Sequence, residues 1–181
     1  MKSKRLPLWL FLSAILLPTV LQAQTKAVTV LSIDAKRLMG TWLGSSELKQ
    51  PGVDMMTDGE KRFARNHKLV DRMTTSIVLK EHSAIPVVLA VTLESDWKLI
   101  RDGGYLCETL ANFSVSLISK PDDNILPGIL VAQLMDQMQS GLKSQVAAGK
   151  ANCNQVEMSS NNAFALKDGQ SGLITQFKRV K

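Results

Sequence analysis

Cys107 and Cys153 are the only cysteines in a chain of 181 residues, and their chemistry can be bounded at once. Two thiols cannot build a four-thiolate metal site, and they are too few for a disulfide-framework miniprotein. What remains is a disulfide or a nucleophile. A nucleophilic cysteine needs a histidine beside its thiolate, and neither His67 nor His82 sits in a sequence context that supplies one. Two histidines also give too few soft ligands for a metal centre, so no metal or other cofactor is expected.

The other reactive side chains cluster in one place. Lys61, Arg62, Arg65, His67, Lys68 and Arg72 form the one concentrated run of basic charge. Read as a strand, the run puts Arg65 and His67 on one face with Phe63 and Leu69, and Arg62 and Lys68 on the other. Arg65 and His67 are therefore the candidate ligand-binding pair, suited to a carboxylate or phosphate head group, while the rest of the run reads as a solvated outer face. Glu94 with Asp96, and Asp122 with Asp123, are carboxylate pairs of the solvated or capping kind. There is no glycine-rich phosphate loop, no Gly-x-Ser-x-Gly elbow and no His-Glu-x-x-His. Asn112-Phe113-Ser114 fits a glycosylation acceptor but falls inside a predicted strand. No catalytic residue is assigned, and the expectation is a protein that is not an enzyme.

Where the chain goes is read from its first residues. Lys2, Lys4 and Arg5 precede a mostly apolar run from Leu6 to Leu17, with Pro18 and the small Ala23 behind it. That order predicts a cleaved secretory signal over residues 1–23, followed by one domain over 24–181, exported to a periplasm or secreted. The apolar run is short for a membrane span of about 20 residues, so no transmembrane span is expected after cleavage. In an oxidising compartment Cys107 and Cys153 are expected to pair. The formal charge of +6 also changes meaning, because the signal carries three of the 22 basic residues and none of the 16 acidic ones. Removing it leaves 19 against 16, with no clustered basic face of the kind nucleic acids require. Aromatic residues at 5% leave little for base stacking, and nucleic acid is excluded as a partner.

The elements that must position these residues are mostly strands. Ser32 and Asp34 can cap a short helical turn over Ala35–Met39, and Gly40 then opens a strand running to about Lys49 and ending at Pro51-Gly52. Thr57-Asp58-Gly59 reads as a second turn, since Asp-Gly supplies the positive φ of tight hairpins. Met73, Thr75, Ile77 and Leu79 alternate with polar residues, Ile85–Leu93 and Trp97–Ile100 read as two strands, and Tyr105–Ile118 as one or two more. The period then changes. Ile129, Leu130, Val131, Leu134, Met135, Met138, Leu142 and Val146 recur at three and four residues, which predicts an amphipathic helix from about Pro127 to Ala148, ended by Gly149. Gln155–Met158, Phe164–Leu166 and Leu173–Val180 are the closing strands. The fold class is α+β, a predominantly antiparallel meander curled into a barrel, with one long helix before its closing strands.

Gly40-Thr41-Trp42 at the first strand, after a short helical turn, and Arg179 near the end of the last strand carry a resemblance. On these residues the chain resembles small exported bacterial proteins of the lipocalin-like (calycin) build. The resemblance implies that Gly40 and Trp42 close one end of the barrel with Arg179 across the indole ring. A cation over an indole face contributes about 0.5–2 kcal/mol. A typical lipocalin places its main helix after the eighth strand, whereas three strands follow the helix here. Two functions are compatible with such a barrel. The first is an exported, non-enzymatic binding protein for a lipid or other small apolar or amphipathic ligand, with Arg65 and His67 at the mouth. The second is an envelope protein-interaction module, an accessory, chaperone or inhibitor, whose barrel is filled by the Met- and Leu-rich helix.

Overall fold

In a computed structural model the chain is described at residues 33–102, 104–169 and 172–180. The expected export signal at 1–23 and Ser32 lie outside the described residues. Asp34 caps α1 (Ala35–Leu38) by accepting a 2.9 Å hydrogen bond from the Lys36 amide. Eight antiparallel strands follow in meander order and close into a barrel: β1 (Gly40–Gln50), β2 (Val53–Phe63), β3 (Lys68–Leu79), β4 (Val87–Ile100), β5 (Tyr105–Ser119), β6 (Ala151–Ser160), β7 (Ala163–Lys167) and β8 (Ile174–Arg179). The long helix α2 (Gly128–Ala148) stands between β5 and β6, starts after Pro127 and ends on Gly149 in the left-handed conformation.

Three local expectations are corrected. Thr57-Asp58-Gly59 is the middle of β2, paired with β1 on one side and β3 on the other, not a turn. Gly59 serves close approach instead. A Cβ there would sit 2.5 Å from the Arg72 carbonyl oxygen and 2.9 Å from Met73 Cα. The residues from Ile85 to Ile100 hold one strand, β4, rather than two, with a register shift between Glu94 and Ser95. That irregularity lets a 14-residue strand bend with the barrel wall instead of breaking. The alternation through Arg65 and His67 also does not continue as a strand. Residues 64–67 turn from β2 into β3, and His67 takes φ 60°.

The pairing lengths divide the barrel into two levels. β1 meets β8 only from Trp42 to Ser45, and β6 meets β5 only from Tyr105 to Thr109. The lower level is thus ringed by all eight strands. Above it, β1 to β5 continue as a concave sheet, and α2 covers the face that β6 to β8 do not reach. This is why the helix needs an apolar stripe. Val131, Leu130, Leu134, Met135 and Met138 pack onto Ile77, Val87, Leu89 and Val91, forming the upper core. The lower core is separate and richer in rings: Leu38, Trp42, Phe63, Leu69, Trp97, Leu106, Val156, Phe164 and Phe177.

At the lower end, Trp42 is fully buried and donates from Nε1 to the Leu38 carbonyl at 2.7 Å, tying α1 to the barrel floor. Its ring meets Phe164 edge-on at 4.7 Å, and Arg179 Cζ lies 4.1 Å from its centroid. Arg179 also donates to the Met39 carbonyl at 2.6 Å and to the carbonyls of Arg37 and Asn161. Gly40 makes room for this arrangement. It has φ 108°, and a Cβ would come within 3.0 Å of Arg179 Nη1. Cys107 and Cys153 face each other across β5 and β6 and form a disulfide, which closes a loop containing most of β5 and all of α2.

Candidate functional site

Between the two apolar cores lies a charged layer that sequence reading did not single out. Its position follows from strand alternation. Phe63 points into the lower core, so Lys61, two residues earlier on β2, points inward as well. Leu69 does the same for Asp71 on β3, and Leu106 for Glu108 on β5. Lys61 and Asp71 face each other in the β2–β3 register, and Glu108 approaches from across the barrel. Lys61 Nζ donates to Asp71 Oδ2 at 2.8 Å and to Glu108 Oε1 at 2.7 Å. Lys61 is 7% exposed and Asp71 5%. This corrects the reading of the basic run as an outer face: Lys61, its first member, is inside the barrel.

Burial and pairing oppose each other here. Burial pulls the Lys61 ammonium down, but Glu108 and Asp71 more than offset it, so its pKa lies above the ordinary value. For Asp71 burial wins. Removal from water raises its pKa to about 6, Lys61 works against that rise, and the neighbouring Glu108 adds to it. One ammonium between two carboxylates leaves the fully ionised layer with a net charge of −1. Asp71 Oδ1 and Asn154 Oδ1 are buried without a hydrogen-bond partner. Buried polar atoms are ordinarily paired, and each orphan costs about 1–3 kcal/mol.

The residues that carry them, Asp71 and Asn154, line a cavity of about 190 Å³. Lys61, Asp71, Glu108, Asn154 and Asp168 give it a polar side, and Met73, Leu93, Leu166, Leu173 and Phe177 an apolar one. A second cavity, about 280 Å³, lies further along the axis beneath α2, between Leu130, Leu134 and Met138 and the strand residues Leu48, Val53, Met55, Ile77 and Leu79. The two follow one another along the same strands. β1 contributes Gly44 and Ser46 to the first and Leu48 and Gln50 to the second, while β2 contributes Lys61, Gly59 and Thr57, then Met55 and Val53. The interior therefore passes from charge through hydroxyls to an apolar chamber. The helix caps the upper level and leaves space beneath it rather than filling the barrel.

The residues singled out from sequence lie elsewhere. Arg65 and His67 are exposed in the turn between β2 and β3, at the closed end, where the His67 ring lies 5.4 Å from Trp97. They line neither cavity, and the barrel-mouth position expected of them is not theirs, because the chain reverses at residues 64–67. Gly40, Trp42 and Arg179 form the floor below the charged layer. Among the described residues no group of three or more His, Cys, Asp or Glu is arranged to hold a metal ion, and no helix is long and apolar enough to cross a membrane.

No family model and no curated protein sequence matches the chain. Among solved structures, it is similar to the chain described as EF1p2_mFAP2b bound to DFHBI, at 10% identity and a TM-score of 0.34, covering 81% of this chain and 96% of that one. A likeness of that degree carries no argument. The eight-stranded barrel stands on its own strand pairing.

Proposed function

We propose that this protein is an exported, non-enzymatic binding protein that holds a small amphipathic ligand inside its barrel. The supporting observation is the pair of cavities stacked along one axis, charged at the lower end and apolar at the upper. Pockets for small molecules are largely apolar with a few convergent polar groups, and this interior has that composition. A polar head reaches Lys61, Asp71 and Glu108 while an apolar tail lies against Met55, Ile77, Leu134 and Met138. The disulfide between β5 and β6 suits an oxidising, extracytoplasmic setting. Titration with N-phenyl-1-naphthylamine, whose fluorescence rises in apolar surroundings, tests the reading. Saturable one-site enhancement, reversed by an amphiphile, is expected; enhancement that never saturates overturns it.

A second reading, a protein-interaction module of the cell envelope, draws on a different observation. Ile118 at the end of β5, Ile125 in the following loop and Ile129 in the first turn of α2 are exposed, Ile129 by 65%. Apolar side chains gathered in one stretch of surface mark interaction sites more often than scattered ones do. Retained stability and solubility with lost partner capture in an Ile125→Ser/Ile129→Ser variant would favour it.

A further inference from the structure

We propose that the lower cavity selects a ligand headed by a protonated amine, and that the carboxylates of Asp71 and Glu108 are the groups that recognise it. This rests on the cavity-binding function above and names the chemistry of the ligand's polar end.

The inventory of hydrogen-bonding groups sets the class. Lys61 is the cation of the layer, and it already donates to both carboxylates. Both Asp71, whose side chain is 7% exposed, and Asn154 line the cavity, and the atom each leaves without a hydrogen-bond partner is an acceptor, Oδ1. A carboxylate or phosphate head would bring acceptors to acceptors and negative charge to a layer already at −1, in surroundings of low dielectric. An alcohol offers one donor. An ammonium offers three donors and the missing positive charge, and it completes a two-cation, two-carboxylate cluster.

The walls decide between an organic and a metal cation. Beside its carboxylates and hydroxyls the cavity is lined by Met73, Leu93, Leu166, Leu173 and Phe177, an apolar wall against which a hydrocarbon packs. Hard cations take several oxygen donors and keep part of their water shell, and a volume of about 190 Å³ with these walls fits carbon better. The apolar chamber continuing beneath α2 then takes the amine's hydrocarbon part.

Three eight-carbon probes separate head group from tail: octylammonium, 1-octanol and octanoate, titrated calorimetrically at pH 7.5 into the full-length protein. Octylammonium is expected to bind at least about tenfold more tightly than 1-octanol, with octanoate weakest. Asp71→Asn and Glu108→Gln are each expected to remove most of the amine preference while 1-octanol binding persists; that persistence shows that the barrel is folded and the cavity intact. Equal affinity for octylammonium and 1-octanol, or a preference for octanoate, overturns the amine assignment and leaves the cavity-binding function standing. If none of the three probes binds, both fall. Octylammonium binding unchanged in both variants also overturns it, because the preference would then arise outside the triad.

Discussion

Lys61 on β2 and Asp71 on β3 are direct partners in the strand register, and their side chains meet inside the barrel at 2.8 Å. Glu108 completes the contact from β5. Of the three, Lys61 holds the others in place, because without it two carboxylates face each other out of water. Lys61→Met is therefore expected to cost about 3–5 kcal/mol at neutral pH, the usual penalty for stranding buried charge. Urea unfolding at pH 7.5 checks the loss. The same variant at pH 4.5, where Asp71 can take up a proton, should recover much of it.

The raised pKa of Asp71 has a definite sign. A carboxyl that holds its proton more tightly in the folded state than in the unfolded chain favours folding most at low pH. That contribution fades as pH rises from its ordinary value of 3.8 to about 6. Lys61 and Glu108 face this carboxyl, and Asp168 lines the same cavity, so the slope belongs to the cluster. Stability measured by urea unfolding is expected to decline across that window in the wild type. Asp71→Asn should flatten the decline; an unchanged slope would assign it to other groups.

The scaffold was far more legible than this layer. Gly40, Asp34, the Pro127–Gly149 helix and the closing strands follow from local rules of capping, turn chemistry and periodicity, and they stand where those rules place them. Asp58-Gly59 misled because the rule that reads Asp-Gly as a turn ignores a glycine needed for close strand packing, which depends on Arg72 and Met73 of the neighbouring strand. The charged layer was legible in part. Counting back by two from Phe63 puts Lys61 on the inner face, and counting forward from Leu69 and Leu106 does the same for Asp71 and Glu108. That the three meet depends on barrel closure across 47 residues of chain, which no local pattern carries.

The Cys107–Cys153 bond spans 46 residues and ties together the two strands that flank α2. By restricting the unfolded chain it contributes about 4 kcal/mol. A Cys107→Ser/Cys153→Ser variant is expected to lose stability of that order in urea. Because the bond closes the loop that holds the helix, amide exchange should rise in α2 and β6 before it rises in β2 and β3.

Arg179 binds the floor through one ring and three carbonyls. Arg179→Ala removes all four contacts, with an expected loss of about 2–4 kcal/mol from the cation–ring contact and the charged hydrogen bonds. Arg179→Lys keeps the charge but cannot serve carbonyls of Arg37, Met39 and Asn161 with one planar group, so it should recover only part. Thermal unfolding of the three proteins gives the order wild type, lysine, alanine. An alanine variant as stable as the wild type would show that Trp42 and Leu38 close the floor unaided.

The upper chamber offers a way to block the ligand's tail without touching its head. Leu134 lies on the inner face of α2 and lines the cavity beneath it, opposite Met55 and Ile77 on β2 and β3. Leu134→Trp places an indole in space that is already empty, about 280 Å³, so the strain of overpacking should be small and the melting temperature close to that of the wild type. Saturable binding of the naphthylamine probe should be lost, and octylammonium should weaken by about tenfold or more. A short amine such as ethylammonium, which fits within the lower cavity, should be unaffected. If Leu134→Trp leaves octylammonium affinity unchanged, the hydrocarbon part does not run beneath the helix, and the two cavities do not act as one site.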